Sequence, residues 1–132
     1  MTDRELMIKA DEARTMAYAP YSHFTVGAAL LASDGRVFTG CNIENAAYSP
    51  TNCAERTAFF KAVSEGVREF EAIAVIGGPA GEASGFCAPC GVCRQVMSEF
   101  CHENFRVLLG TPDAVQTHTL RDLLPHSFAL ET

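Results

Sequence analysis

The stretch FTVGAALLASDGRVFTGC, residues 24–41, predicts the first two strands of the fold. Residues 24–32 and 36–41 are rich in apolar and β-branched side chains, and Ser33-Asp34-Gly35 separates them. An Asp-Gly step between two apolar runs is a strong signal of a tight turn between antiparallel strands. We therefore predict a β-hairpin here, with the other elements arranged around it.

Helices and further strands are predicted on both sides of this hairpin. Before it, residues 3–17 carry apolar side chains at helical spacing. After it, the patterns predict helices over 53–64, 91–102 and 120–124, and strands over 70–76, 105–109 and 115–119. A hairpin followed by two crossovers through helices favours an α/β fold, with a mixed sheet covered by helices.

Composition and charge narrow the class of protein. The chain has 132 residues, of which 48% are hydrophobic and 20% charged, and its net charge is −6. We expect a single globular domain over residues 1–132. It lacks an apolar signal segment and a membrane-length apolar run, so we expect a cytoplasmic protein with no membrane partner. Without a Lys/Arg cluster, we expect no nucleic-acid partner either.

Three of the six cysteines stand at predicted helix starts. Cys90 and Cys93 follow Pro89 and share one face of a helix, where the helix dipole favours thiolates. A C-x-x-C pair of this kind is typical of a metal site or a redox pair, and by itself it leaves both open. Cys53 begins another predicted helix.

Together the three thiolates could hold zinc with one coordination position open, as catalytic sites do. Glu55, two residues after Cys53, could then exchange protons with a bound water. A structural zinc site in a non-catalytic binding module is the alternative, and it would need a fourth ligand such as Cys87 or a histidine. We expect Cys87 to be a bystander, and Cys41 and Cys101 to be core residues.

The motifs C-A-E at 53–55 and P-C-G-x-C-R-Q at 89–95 resemble those of the zinc-dependent cytidine deaminases of the small homotetrameric type. Segments 19–22, 24–30, 40–48 and 123–125 also look like segments of that family, in the same order. The resemblance implies a three-layer α/β/α fold with a mixed five-stranded sheet, one Zn²⁺ per chain, and a homotetramer whose pockets are completed by neighbouring subunits. It implies hydrolytic deamination of cytidine and 2′-deoxycytidine to the uridines and ammonia, in pyrimidine salvage.

The resemblance also assigns roles to individual residues. Zinc ligation falls to Cys53, Cys90 and Cys93, and proton transfer to Glu55. Phe24 would stack on the base, Asn42 and Glu44 would hold the ribose 3′-OH, and the Ala54 N–H would orient the ring. Tyr48 and Phe128 would close a neighbour's pocket, and Arg56 and Arg94 would offset the charge of the thiolates. A related blasticidin-S deaminase shares both motifs, although residues 42–49 favour cytidine.

Overall fold

The computed structural model describes residues 1–131, which form a five-stranded sheet in the order β2-β1-β3-β4-β5. The strands are β1 (Phe24–Ala32), β2 (Val37–Cys41), β3 (Phe70–Pro79), β4 (Arg106–Thr111) and β5 (Ala114–Thr119). The helices are α1 (Asp3–Ala13), α2 (Ala54–Ser64), α3 (Gly91–Phe100) and α4 (Leu120–Leu123), with a 3₁₀ helix at Arg14–Met16.

The predicted hairpin and mixed sheet are both confirmed. Strand β1 pairs antiparallel with β2, from Gly27 opposite Cys41 to Leu31 opposite Val37. Gly35 supplies the turn, with a φ of 95° that side chains disfavour. On its other edge β1 pairs antiparallel with β3, which pairs parallel with β4, and β4 pairs antiparallel with β5.

Alternating side chains of the central strands build a separate core on each face of the sheet. Ala28 and Leu30 belong to the core that contains residues of α2 and α3, whereas Ala29 and Leu31 belong to the core that contains residues of α1. Both faces are apolar because both are covered by helices. The result is the predicted three-layer α/β/α arrangement.

Two boundaries differ from the sequence-based expectation by three residues or more, and the others by no more than two. Helix α1 ends at Ala13 and gives way to the 3₁₀ helix at Arg14–Met16, instead of staying α-helical to residue 17, and Tyr18 then pairs with Ile43. Strand β3 continues through Gly77 and Gly78 to Pro79, beyond the predicted end at residue 76, because these residues pair with the start of β1. At both places the chain makes contacts with segments distant in sequence, which local sequence patterns do not report.

Close packing places the start of α2 over strand β2. A side chain at Gly40 would bring its Cβ within 2.4 Å of the Ala54 carbonyl oxygen and 2.6 Å of the Ala58 nitrogen. Only glycine allows the helix to approach so closely. Among residues 1–131, no helix is both long and apolar enough to cross a membrane.

Candidate active site and metal centre

Three cysteine sulfurs converge where α2 and α3 begin. Cys53 and Cys90 are the N-cap residues of these helices, and Cys93 lies on the first turn of α3. The sulfur-to-sulfur distances are 3.8 Å from Cys53 to Cys90 and 3.5 Å from Cys90 to Cys93, and all three sulfurs lie within 4.8 Å of one another. Ligands about 2.3 Å from a tetrahedral zinc ion are about 3.8 Å apart, so the cluster has the dimensions of a zinc site.

The sulfurs have opposite tendencies to ionise. The neighbouring Cys93 thiol, together with Arg56, lowers the pKa of Cys53 to about 5, against the opposing effect of burial. The neighbouring Cys53 sulfur and burial raise the pKa of Cys93. One thiolate among the three sulfurs is therefore favoured, and a second would face a like charge at contact distance. A divalent cation removes this conflict by attracting all three.

The other three cysteines stand apart from the cluster. No fourth His, Cys, Asp or Glu joins the three sulfurs within the described part of the chain, which gives the structural-zinc alternative no fourth ligand. Burial raises the pKa of Cys87 to about 11 and that of Cys101 to about 12, and it also raises the pKa of Cys41. These thiols stay protonated near neutral pH, as expected for packing residues.

Glu55 is a nearly buried carboxyl group on the first turn of α2, and only 4% of its surface is exposed. Burial raises its pKa to about 6, and the negative charge of Cys53 acts in the same direction. A carboxyl group whose pKa lies near neutral can both accept and release a proton during a reaction. The structure thus places a group suited to proton transfer two residues from a cluster sulfur.

The two arginines of the motifs make different contacts. Arg56 donates from Nη2 to the Cys53 sulfur at 3.2 Å, while its Nε is buried without a hydrogen-bond partner. Arg94 donates to two carbonyl oxygens, of Pro89 at 2.8 Å and of Leu123 at 2.7 Å. Direct contact with the sulfurs is therefore a feature of Arg56, whereas the hydrogen bonds of Arg94 join the start of α3 to the C-terminal segment.

Phe24, Asn42 and Glu44 are brought together at the start of β1. The Asn42 side chain accepts from the Val26 N–H at 2.8 Å and donates to the Phe24 carbonyl at 2.9 Å. Glu44 accepts from the Ser22 hydroxyl and the Ser22 N–H, and the Ser22 hydroxyl in turn accepts from the Phe24 N–H. The Ser22 hydroxyl lowers the pKa of Glu44, so this carboxylate stays ionised.

The remaining predicted residues lie at three separate places. Ala54 is fully buried in the first turn of α2, where backbone N–H groups lack partners within the helix. Tyr48 is 78% exposed and lines a cavity of about 410 Å³ that Glu44 also lines. Phe128 is 66% exposed, and its carbonyl accepts from the Gln95 side chain at 3.1 Å.

Sequence reasoning assigned no role to Ser22, Gln95 or Arg14. Ser22 holds Glu44, Gln95 holds the segment that carries Phe128, and Arg14 joins α1 to the bend after β3. Ser22 and Gln95 lie inside the quoted motifs, so a closer reading of those motifs could have singled them out. Arg14 has little local signal, because all its partners except Asp11 lie 11 to 68 residues away.

The comparisons with known proteins agree on one family. Residues 1–109 match the model of the cytidine and deoxycytidylate deaminase zinc-binding region. A cytidine deaminase of Sporosarcina psychrophila is 52% identical over 132 residues, which cover 99% of this chain and 94% of that relative. A blasticidin-S deaminase of Bacillus cereus is 32% identical over 127 residues, covering 93% of this chain and 89% of that relative.

Solved structures support the same grouping. The crystal structure of cytidine deaminase from Burkholderia pseudomallei has a TM-score of 0.88 at 51% identity, covering 97% of this chain and 100% of that one. A mixed sheet that presents three thiols and a buried carboxyl at two helix starts defines a metal-binding hydrolase. The chain belongs to the cytidine and deoxycytidylate deaminase family and is an enzyme.

Proposed function

We propose that the chain catalyses the hydrolytic deamination of free cytidine and 2′-deoxycytidine, giving uridine and 2′-deoxyuridine with release of ammonia. The observation that carries this proposal is the nearly buried Glu55 beside three convergent sulfurs of zinc-site dimensions. Its cytidine deaminase relatives support the choice of substrate.

The ligand set proposed for one Zn²⁺ per chain is Cys53, Cys90 and Cys93. Bound there, zinc would lower the pKa of a water and so provide the nucleophile. Glu55 would take one proton from the attacking water and deliver it to ring N3. It would then take the second proton from the new C4 hydroxyl and deliver it to the amine, so that the C4–N bond breaks, ammonia leaves and the C4 carbonyl forms. The raised pKa of Glu55 suits both halves of this transfer.

Charge around the cluster is proposed to be balanced by Arg56 and Arg94. Three thiolates and one Zn²⁺ carry a net charge of −1, which opposes ionisation of a bound water. Arg56 offsets this charge by its contact with Cys53. Arg94, bonded to carbonyl oxygens, would contribute through its net charge alone. We therefore expect Arg56 to have the larger effect.

The pocket proposed for the nucleoside begins at β1. The ring of Phe24, 39% exposed, would stack on the base, and the Ala54 N–H with a carbonyl of residues 86–90 would orient it. Asn42 and Glu44 would hold the ribose 3′-OH. The Glu44 carboxylate would repel a 5′-phosphate, in a protein of net charge −6, so nucleotides should be poor substrates.

We further propose a homotetramer whose pockets are completed across subunits by Tyr48 and Phe128. Both aromatic rings are mostly exposed in the single chain, which supports a role at an interface. Residues 1–132 would act as one catalytic domain, in the cytoplasm, within pyrimidine salvage. Light scattering tests the assembly, and an active monomer would contradict it.

Substrate profiling tests the reaction itself. The kcat/KM values for cytidine, deoxycytidine, CMP and cytosine are measured side by side from the loss of the long-wavelength absorbance of cytosine. We expect turnover of both nucleosides, little of CMP, and little of cytosine, which lacks the hydroxyl that Asn42 and Glu44 would hold. Comparable values for cytidine and CMP would show that the sugar end of the pocket is misassigned.

Blasticidin S is the second candidate substrate, because a blasticidin-S deaminase is 32% identical over 93% of this chain. It enters the same assay as a further substrate. A kcat/KM for blasticidin S above that for cytidine would favour this alternative and leave the proposed zinc ligands and Glu55 unaffected.

A further inference from the structure

We propose that Arg14 is a positioning residue of the active site, which holds the bend after β3 against the start of β1 and thereby sets the place of Phe24. The inference rests on the proposed function in one respect, namely that Phe24 contacts the base. No part of it depends on zinc ligation or on proton transfer by Glu55.

Arg14 is a buried charge with every nitrogen engaged. Only 9% of the residue is exposed. Its Nε donates to the Thr25 carbonyl and hydroxyl at 3.2 and 3.1 Å, and Nη1 to Asp11 Oδ1 at 3.1 Å. Its Nη2 donates to the carbonyls of Pro79 and Glu82 at 3.2 and 3.3 Å. One guanidinium therefore joins α1, the start of β1 and the end of β3.

The bend at residues 79–82 lies directly against this guanidinium. A side chain at Gly78 would place its Cβ 3.0 Å from Arg14 Nη2 and 2.6 Å from the Ala83 carbonyl oxygen. The carbonyls of Pro79 and Glu82 converge on one nitrogen, which fixes the curvature of the backbone between them. Lysine could not replace this arrangement, because a single ammonium lacks the planar fork of donors.

From this bend the contacts continue to Phe24. The Thr25 hydroxyl donates to the Gly78 carbonyl at 3.2 Å, which pairs the start of β1 with the end of β3. A side chain at Gly77 would place its Cβ 2.9 Å from Phe24 Cε2 and 3.1 Å from the Cys87 sulfur. The Phe24 ring and Cys87 therefore both pack on the bare backbone of Gly77, and the position of that backbone sets the position of the ring.

The same segment leads into the loop before the metal cluster. Gly77 and Gly85 exchange two backbone hydrogen bonds, of 3.3 and 2.7 Å, and the Ala80 N–H donates to the His23 carbonyl at 2.7 Å. The cysteines themselves are held by helices α2 and α3, which pack on the core of the opposite face. Loss of Arg14 should therefore disturb the contacts of the base and leave the sulfur cluster in place.

Substitution of Arg14 separates this role from a general effect on stability. Arg14→Gln removes the charge and most of the donors, and Arg14→Lys keeps the charge alone. Arg106→Gln is the matched control, because Arg106 also ties α1 to the sheet, through Asp3 at 2.8 Å, without touching the bend. Zinc content, folding by circular dichroism, and kcat and KM for cytidine are measured for each variant.

We expect Arg14→Gln to retain full zinc and to raise KM by about 10- to 100-fold, the cost of misplacing a substrate-binding group from a distance. Arg14→Lys should recover part of this loss, and Arg106→Gln should stay within about twofold of the parent, as substitutions of surface ion pairs do. In a Phe24→Ala background Arg14→Gln should have little further effect on KM, because the two residues act through one contact.

Amide hydrogen exchange supplies a readout that does not depend on turnover. The N–H groups of Gly77, Ala80 and Gly85 should exchange at least tenfold faster in Arg14→Gln than in the parent. In Arg106→Gln their exchange rates should equal those of the parent. If the parent does not deaminate cytidine but these amides respond as expected, the proposed function fails and the positioning role of Arg14 stands.

Several outcomes would overturn the proposal. The first is an unchanged KM in folded, zinc-loaded Arg14→Gln. The second is that the effects of Arg14→Gln and Phe24→Ala on KM are additive in the double variant. The third is an unchanged rate of amide exchange at the bend. If Arg14→Gln does not fold, Thr25→Val replaces it, since this change removes only the hydroxyl that joins Arg14 to the Gly78 carbonyl. A Thr25→Val variant with parental KM and parental exchange at Gly77 and Gly85 would then refute the proposal.

Discussion

The sulfur cluster and the bend held by Arg14 differ in how completely their bonds are made. Each nitrogen of the Arg14 guanidinium donates to an oxygen of the same chain. The sulfurs of Cys53, Cys90 and Cys93 mainly contact one another, and one arginine. A buried charged group whose hydrogen bonds are all made within the chain stabilises the fold. A cluster of sulfur atoms that contact mainly one another is suited to binding a metal ion.

The largest expected effect is the loss of metal from the sulfur cluster. Cys90→Ala removes one of the three proposed ligands, so it should abolish zinc binding and turnover together. Cys87→Ala is the control, because its thiol is protonated and outside the cluster, and it should keep the zinc of the parent. The zinc content of both variants is measured by metal analysis, with one zinc per chain expected in the parent. Full zinc in Cys90→Ala, or loss of zinc in Cys87→Ala, would contradict the proposed ligand set.

Next in size is the effect of removing proton transfer while keeping the cluster. Glu55→Gln should lower kcat by about 100- to 10,000-fold, the usual contribution of a general acid–base group, at unchanged zinc content. Exposed Glu99→Gln on α3 serves as the control and should leave kcat near the parental value. Near-normal turnover in a metal-loaded Glu55→Gln protein would contradict the proposed role.

A smaller effect is expected on stability, in protein stripped of metal with a chelator. A pKa of Glu55 raised from 4.5 to about 6 means that the unfolded chain releases the proton first as pH rises. The contribution of Glu55 to folding stability should thus fall between pH 4.5 and 6 by about 2 kcal/mol and stay lowered above that range. The lowered pKa of Cys53 has the opposite pH dependence in both proteins, so the difference between the parent and Glu55→Gln isolates the contribution of Glu55. Glu55→Gln should lack this fall. Urea unfolding at several pH values measures the difference, and parallel curves for the two proteins would argue against a buried, ionising Glu55.

Effects of similar size on stability, with smaller effects on zinc affinity, should separate the two motif arginines. Arg94 resembles Arg14 in bonding to carbonyl oxygens, so Arg94→Gln should lower the free energy of unfolding by about 1 to 3 kcal/mol and change zinc affinity little. Arg56→Gln should weaken zinc binding more than it weakens folding. Urea titration and competition with a chelator compare the two. Equal losses of zinc affinity would indicate that both arginines balance the cluster charge.

Local sequence patterns were reliable where the forces are local. The hairpin was predicted because an Asp-Gly turn and its two apolar strands are neighbours in sequence. The end of α1 and the last residues of β3 were wrong, because Tyr18 and Gly77 take partners far along the chain. The two glycines at 77 and 78 fell outside the predicted strand, although they are the strand residues on which Phe24 and Arg14 pack.

The sequence by itself determined the fold class, the family and the residue types of the candidate site. Cysteines three apart at a helix start must share a face, and the motifs around residues 53 and 90 are specific to a family. Only the tertiary structure decided that Cys53 meets Cys90, that Glu55 is buried enough to raise its pKa, and that Arg14 holds the bend beside Phe24. These properties depend on distances and burial between segments far apart in the chain, which arise only when the sheet and its helices pack together.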